Sequence, residues 1–192
     1  MKTKFFTGVG DEGVTNTGKN QLAKDDPVFM LLGSLDECNS WLGLAKIVGG
    51  RVGELQKLVP WVLELQEMLF VAQAEVATVY FGYGSYSDEP RKFPFVKSGH
   101  LQRCEAIIHE IDEEYPQLKS FILPGGSEFS AQIDICRTIA RKAERYAVIV
   151  SRKYELSAEL LAYLNRLSSV LFAIARYANF KLGIKETQLT YK

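Results

Sequence analysis

The chain has little from which to build a metal centre or a disulfide scaffold. Its two histidines, His100 and His109, belong to no HExxH arrangement, and its three cysteines, Cys38, Cys104 and Cys136, are widely spaced. That spacing argues against a protein-ligated transition metal and against a disulfide framework, and it points to a reducing cytoplasm. Neither charge is in surplus: 23 basic residues face 23 acidic ones. A nucleic-acid binder usually carries a basic excess, so that class is disfavoured and any anion site must be local. No uninterrupted apolar run is long enough to cross a bilayer. Residues 1–26 are polar and glycine-rich, unlike a signal peptide. No internal repeat and no domain linker is evident.

What is present is a core. With 192 residues and 47% hydrophobic side chains, one domain over 1–192 can bury a sizeable interior. From Pro27 onward the apolar residues step by three and four. Leu31, Leu35, Cys38, Leu42 and Ala45 form one stripe, and Val62, Leu65, Leu69, Ala72, Val76 and Val79 form a second. A shorter helix is expected near 98–114, capped by Ser98, with Leu101, Cys104, Ile108 and Ile111 inward. Ile133, Cys136, Ala140, Ala143, Ala147 and Val150 mark a fourth, and Leu160, Leu164, Leu167, Leu171, Ile174 and Ala178 a fifth. The expected fold is all-α: an antiparallel five-helix bundle over 27–192, four-helix-bundle-like, behind a glycine-rich loop over 1–26.

That loop, FFTGVGDEGVTNTGKNQLAKDD over 5–26, nearly forms a phosphate-binding motif. Gly13 to Gly18 followed by Lys19 has the Walker A spacing, but Asn20 replaces the hydroxyl and no apolar strand precedes it. Gly8, Gly10 and Gly13 likewise lack the βαβ unit of a dinucleotide fingerprint. The loop alone does not settle whether it holds phosphate.

Polar residues on the helices are the other candidates. In CRTIARKAER, Arg137, Arg141, Glu144 and Arg145 share a face beside the apolar stripe, with Lys142 flanking it. Two readings stand: a solvated face with an internal Arg141–Glu144 network, or a polyphosphate clamp, since guanidinium forks match phosphate oxygens. Asn165 in YLNRLSS is either a satisfied polar group or a ligand contact. Asp36, with Asn39 and Ser40 on one face of the first helix, requires a cation, and Arg137 is a candidate from the same chain or another subunit. Phe121, in FILPGG, is by default core; the alternative is projection into a cavity.

GDEGVT, KDDP, GSLDECNSWLGLA, FILPGG, CRTIARKAER and YLNRLSSVLFAIAR, in this order, resemble the ATP:cob(I)alamin adenosyltransferases of the trimeric helix-bundle kind. The resemblance covers nearly the whole chain. It implies transfer of the 5′-deoxyadenosyl group of ATP to the cobalt of cob(I)alamin, with tripolyphosphate released. It also implies Mg²⁺ with ATP, a homotrimer with sites between subunits, and a cob(II)alamin reductase as a partner. Cytoplasmic location is expected, with neither nucleic acid nor membrane involved. Carried over by residue, Thr7, Gly8, Val9, Gly10, Asp11, Thr15 and Asn16 wrap the triphosphate, and Lys24 contacts it. Arg141, Lys142, Glu144, Arg145 and Asn165 complete the ATP site. Arg137 pairs with Asp36 across the interface, and Phe121 helps remove the lower axial ligand of cobalamin.

The chain departs from the family pattern at several points. Gly8 stands where Arg or Lys is usual, and Val9 where a hydroxyl is frequent. The basic residues usual before the lysine are replaced around Asn20, Gln21 and Leu22, Lys142 replaces Arg, and Asp134 sits where His is frequent. Lys19 and Lys4 are candidate substitutes for the cation missing at Gly8, and an arginine restored there is expected to strengthen ATP binding. Two further readings follow from these losses: a non-enzymatic relative that binds ATP or a corrinoid as carrier or sensor, and a structural helical trimer.

Overall fold

A computed structural model describes residues 8, 10–16, 21–81, 93–118 and 120–189. Five α-helices carry the fold: α1 (Pro27–Gly50), α2 (Val59–Phe81), α3 (Ser98–Asp112), α4 (Glu128–Ser151) and α5 (Ala158–Lys181). A 3₁₀ turn, Gly53–Leu58, leads from α1 to α2. Ahead of α1 the sequence reading expected loop alone. Instead β1 (Val14–Asn16) and β2 (Gln21–Ala23) pair antiparallel, with Val14 opposite Ala23 and Thr15 opposite Leu22.

The helices begin where side chains satisfy their first N–H groups. Asp26 accepts from the N–H of Val28 at 3.0 Å, with Pro27 in the position that needs no donor. Ser127 Oγ accepts from the Ser130 N–H at 3.1 Å and Ser157 Oγ from the Leu160 N–H at 3.0 Å. Ser98 does not cap α3. It lies one residue inside, and His100 Nδ1 instead accepts from the Lys97 N–H at 2.9 Å.

The stripes read from the sequence form the core. Every residue of the α1, α4 and α5 stripes is buried, as are Val62 to Val76 of α2. Each such fully buried Leu contributes about 1.5–3 kcal/mol. On α3 the inward residue is Ile107, with Ile108 only partly covered. α5 has the length and hydropathy of a membrane span, but it packs on α3 and α4 and its apolar residues fill the bundle.

Contacts fix the directions. Phe129 lies against Gly49 and the Cys38 and Cys136 thiols meet opposite carbonyls, so α1 and α4 run antiparallel. Asn179 meets Ser130 and Asn165 meets Glu144, so α4 and α5 also run antiparallel. Gln66 of α2 donates to the Asn39 carbonyl of α1 at 3.0 Å. Glu75 is fully buried on α2 and accepts from the N–H of Val96 at 2.8 Å and of Ser157 at 3.1 Å. One carboxylate thereby ties α2 to the entries of α3 and α5.

The three cysteines are free and buried. Burial pushes the Cys104 thiol up to about 12. Cys136 is raised further by its contact with Cys38 and by burial. Neither Cys104 nor Cys136 is a thiolate at neutral pH, so neither is a nucleophile.

Candidate functional site

α4 organises the site because its two halves carry different chemistry. Antiparallel packing on α1 brings its C-terminal half to the end where the N-terminal hairpin enters. There Asp26 lies beside Tyr80, whose ring contacts Tyr154 at 4.5 Å, just beyond the α4 terminus. On this half Arg141 and Arg145 are exposed, and neither has an ion-pair partner among the described residues. The internal Arg141–Glu144 network does not form. Glu144 instead accepts from Asn165 Nδ2 at 2.8 Å, and Lys142 pairs with Glu37 of α1 at 2.6 Å. Among the described residues these two cations thus have no ion-pair partner while their neighbours are fixed.

In the hairpin, Lys24 folds back over Gly10. A Cβ added at Gly10, where φ is +101°, would stand 3.0 Å from Lys24 Nζ. The Lys24 N–H donates to the Gly13 carbonyl at 2.9 Å. Gly8 has φ +74°, a left-handed conformation that an L side chain resists. Asp11 is exposed and Thr15 half-buried. Asn16 is described by its backbone alone, and Thr7, Val9, Lys4 and Lys19 lie outside the described residues.

The N-terminal half of α4 faces a cleft of about 540 Å³ lined by Leu118, Ser120, Phe121, Ile122, Arg137 and Phe172. Phe121 is 76% exposed, so it projects rather than packing in the core. Its backbone is held where its side chain is not: the Leu189 N–H donates to its carbonyl at 3.0 Å and the Leu123 N–H to Thr187 at 2.9 Å. Arg137 Nε meets Asp134 Oδ1 of its own helix at 3.1 Å. Asp36 is exposed on α1 and has no ion-pair partner among the described residues of its own chain.

Sequence reasoning missed a buried cluster behind this cleft. Arg176 of α5 is 1% exposed and ion-pairs with Asp134 and, at 2.9 Å, with Glu186. Asn179 donates to Glu186 at 2.7 Å and to the Gly125 carbonyl at 2.8 Å, and accepts from Ser127. It lies so close to Gly126, where φ is +108°, that a Cβ there would stand 2.5 Å from it. The Pro-Gly-Gly turn after Phe121 is therefore set against α5. The available signal was Asp134 itself, an acid within an apolar stripe.

One turn of α4, roughly 6 Å, separates Arg137 at the cleft from Arg141 at the cationic end. The arrangement suits a reaction between an anionic ligand and a large ligand beside Phe121.

Residues 5–178 match the family described as cobalamin adenosyltransferase. The corrinoid adenosyltransferase of Bacillus subtilis is 34% identical over 186 residues, 96% of this chain and 91% of that protein. That of Homo sapiens is 32% identical over 184 residues, 95% of this chain and 72% of that protein. Among solved structures, a phenylalanine-to-histidine variant of the PduO-type ATP:corrinoid adenosyltransferase of Lactobacillus reuteri, complexed with cobalamin and ATP, superposes with a TM-score of 0.86. It is 32% identical, covering 98% of this chain and 97% of that one. An arginine-to-lysine variant complexed with ATP gives 0.85 at 31% identity, covering 97% and 100%.

Proposed function

We infer that the chain, which belongs to the cobalamin adenosyltransferase family, is an ATP:corrinoid adenosyltransferase. The observation that carries this reading is the pair of cations Arg141 and Arg145, without an ion-pair partner among the described residues and one and two turns from Arg137 at the Phe121 cleft. Cob(I)alamin is itself a strong nucleophile, so no Ser, Cys or His nucleophile is required. Its cobalt electron pair attacks C5′ of ATP, the cobalt–carbon bond forms and the C5′–O bond breaks. Tripolyphosphate leaves with the electron pair of the broken C5′–O bond. The protein has two tasks: to set C5′ in line with cobalt, and to stabilise the charge that gathers on the leaving oxygen.

Arg141 and Arg145 serve the second task, as donors aimed at phosphate oxygens. Lys24 brings a further cation against the glycine turn at Gly10. Asn165 and Glu144, bonded to one another, face the nucleotide, and Lys142 is held back by Glu37. Thr7 to Asp11, Thr15 and Asn16 wrap the triphosphate in this reading. Among the described residues no three metal-binding side chains converge. Mg²⁺ would enter as a companion of ATP, held by its phosphates, with Glu144 as the acid at hand. When bound, it spreads the charge of the triphosphate.

Phe121 serves the step before transfer, the reduction that yields cob(I)alamin. An exposed aromatic ring in a cleft presents an apolar wall to the lower face of the corrinoid, where it displaces the axial ligand and leaves cobalt easier to reduce. A homotrimer is supported by exposed apolar side chains on α1 (Met30, Leu44 and Ile47) and on α4 (Ile135, Val148 and Ile149). In that assembly Asp36 of a second copy would reach Arg137 and complete the cleft. The buried, free cysteines suit a reducing cytoplasm, and a cob(II)alamin reductase would supply the substrate.

The test is turnover. Purified protein given chemically reduced cobalamin and MgATP should consume the cob(I)alamin absorption and yield the adenosylcobalamin spectrum. ATP binding without any turnover would sink the enzyme reading in favour of a carrier or sensor.

A further inference from the structure

The buried Arg176 cluster has no role in the chemistry just described, yet it is costly. Desolvating a guanidinium and two carboxylates is expensive, and an apolar trio of similar volume often serves stability as well or better. What the cluster does uniquely is connect. Glu186 comes from the segment after α5 and accepts from Arg176 Nη1 at 2.9 Å, from Asn179 at 2.7 Å and from the Tyr115 hydroxyl at 3.2 Å. Immediately after it, residues 187–189 lie antiparallel to 121–123, with Ile122 opposite Gln188. On the other side of Arg176, Asp134 accepts from the Gly125 N–H at 3.3 Å and from Arg137 at 3.1 Å. One guanidinium therefore joins the strand that carries Phe121 to the helix that carries Arg137.

We propose that Glu186 is a positioning residue for the corrinoid half of the reaction, acting through Arg176 and Asp134 on Phe121 and Arg137. Phe121 is largely exposed, so its ring is placed by its backbone, and the bonds at Phe121 and Leu123 come from the segment that Glu186 anchors. Glu186 also balances charge. Without it, Arg176 draws on Asp134 alone, and the hold of Asp134 on Arg137 weakens. The ATP end of α4, from Arg141 onward, is outside this network. Loss of Glu186 should therefore separate the two substrates.

This rests on the adenosyltransferase reading, and the experiment distinguishes the two. In Glu186→Gln, amide exchange at Leu123 and Leu189 should accelerate while the buried amides of α4 and α5 stay protected. In turnover, KM for cob(I)alamin should rise and kcat fall, together costing roughly tenfold to a hundredfold in kcat/KM, the scale of a small misplacement. KM for ATP should move less than about twofold on the same argument. Absence of turnover in the unaltered protein would remove the enzyme reading, while the exchange result would still report whether Glu186 anchors the strand. Equal changes in both KM values, or faster exchange with unchanged corrinoid kinetics, would overturn the positioning role. If Glu186→Gln does not fold, Tyr115→Phe removes a single bond to Glu186 and leaves the ion pair. It should then show the same split with smaller amplitude, and no split would equally overturn the proposal.

Discussion

Arg137 Nε lies 3.1 Å from Asp134 Oδ1 on the preceding turn of the same helix, and Asp134 is simultaneously held by the buried Arg176. Arg137 therefore has a carboxylate before any second copy approaches. Its role in the cleft and its role in stability come apart. Arg137→Ala leaves Asp134 paired with Arg176, and Arg137 is partly exposed, so the loss in stability should stay within about 1 kcal/mol. Turnover should fall by roughly a hundredfold if the guanidinium positions the corrinoid. Urea unfolding and the cob(I)alamin assay on one preparation separate these quantities. A large stability loss with normal turnover would reverse the assignment.

Arg141 offers the complementary case. It is exposed and forms no ion pair among the described residues, so Arg141→Ala should leave the melting temperature unchanged. A charge-assisted contact contributes about 1.5–3 kcal/mol, so kcat/KM for ATP should fall roughly tenfold to a hundredfold. Arg141→Lys keeps the charge but not the fork, and should recover part of the loss. An alanine variant with full activity would remove Arg141 from the site.

The bundle was legible because periodicity reports burial: Leu31 to Ala45 and Leu160 to Ala178 lie on one helix face each, and all are buried. The cationic half of the site was legible for the same reason, since Arg141, Glu144 and Arg145 share a face beside the apolar stripe. Arg176 was not, because its partners are distant in sequence: Asp134 on another helix, Glu186 after the last one. No local pattern encodes such a meeting. For Phe121 the preference of its type makes core the default and projection into a cavity the alternative, and a backbone clamp places it outside. The β1–β2 hairpin has three-residue strands, too short for alternation to register.

The hairpin also changes what is expected at Gly8. The sequence suggested that a restored arginine would strengthen ATP binding. Gly8 has φ +74°, and a Cβ there would begin 3.6 Å from the Asp11 carboxylate. Gly8→Arg should cost about 1–2 kcal/mol in local backbone strain, and its guanidinium would meet Asp11 before phosphate. Its KM for ATP should be no lower than that of the unaltered chain. Lys24→Ala, by contrast, removes the cation already seated at Gly10 and should raise that KM. Tighter ATP binding by Gly8→Arg would mean that the loop refolds around the new side chain.

The pH dependence of stability has a defined sign at the outer end of α5. Lys181 Nζ lies 2.9 Å from the Glu114 carboxylate, which also accepts from the Tyr177 hydroxyl at 2.8 Å. These bonds, the one from Lys181 foremost, hold the Glu114 carboxyl below its ordinary value of 4.5. Lys181 is raised above its ordinary 10.5 by the same partner. A lowered carboxyl contributes stability that is present above the unfolded value and lost as pH falls through the folded one. A raised ammonium contributes stability that is present below its unfolded value and lost as pH rises through the folded one. The pair should therefore stabilise across neutral pH and fade at both extremes. Glu114→Gln should melt at a lower temperature than the unaltered protein at pH 7, by a small amount because the group is exposed. The gap should narrow as pH falls through the lowered folded value, where the carboxyl is protonated in both folded and unfolded states. A gap that held or grew as pH falls would show that the carboxylate charge is not what Glu114 contributes.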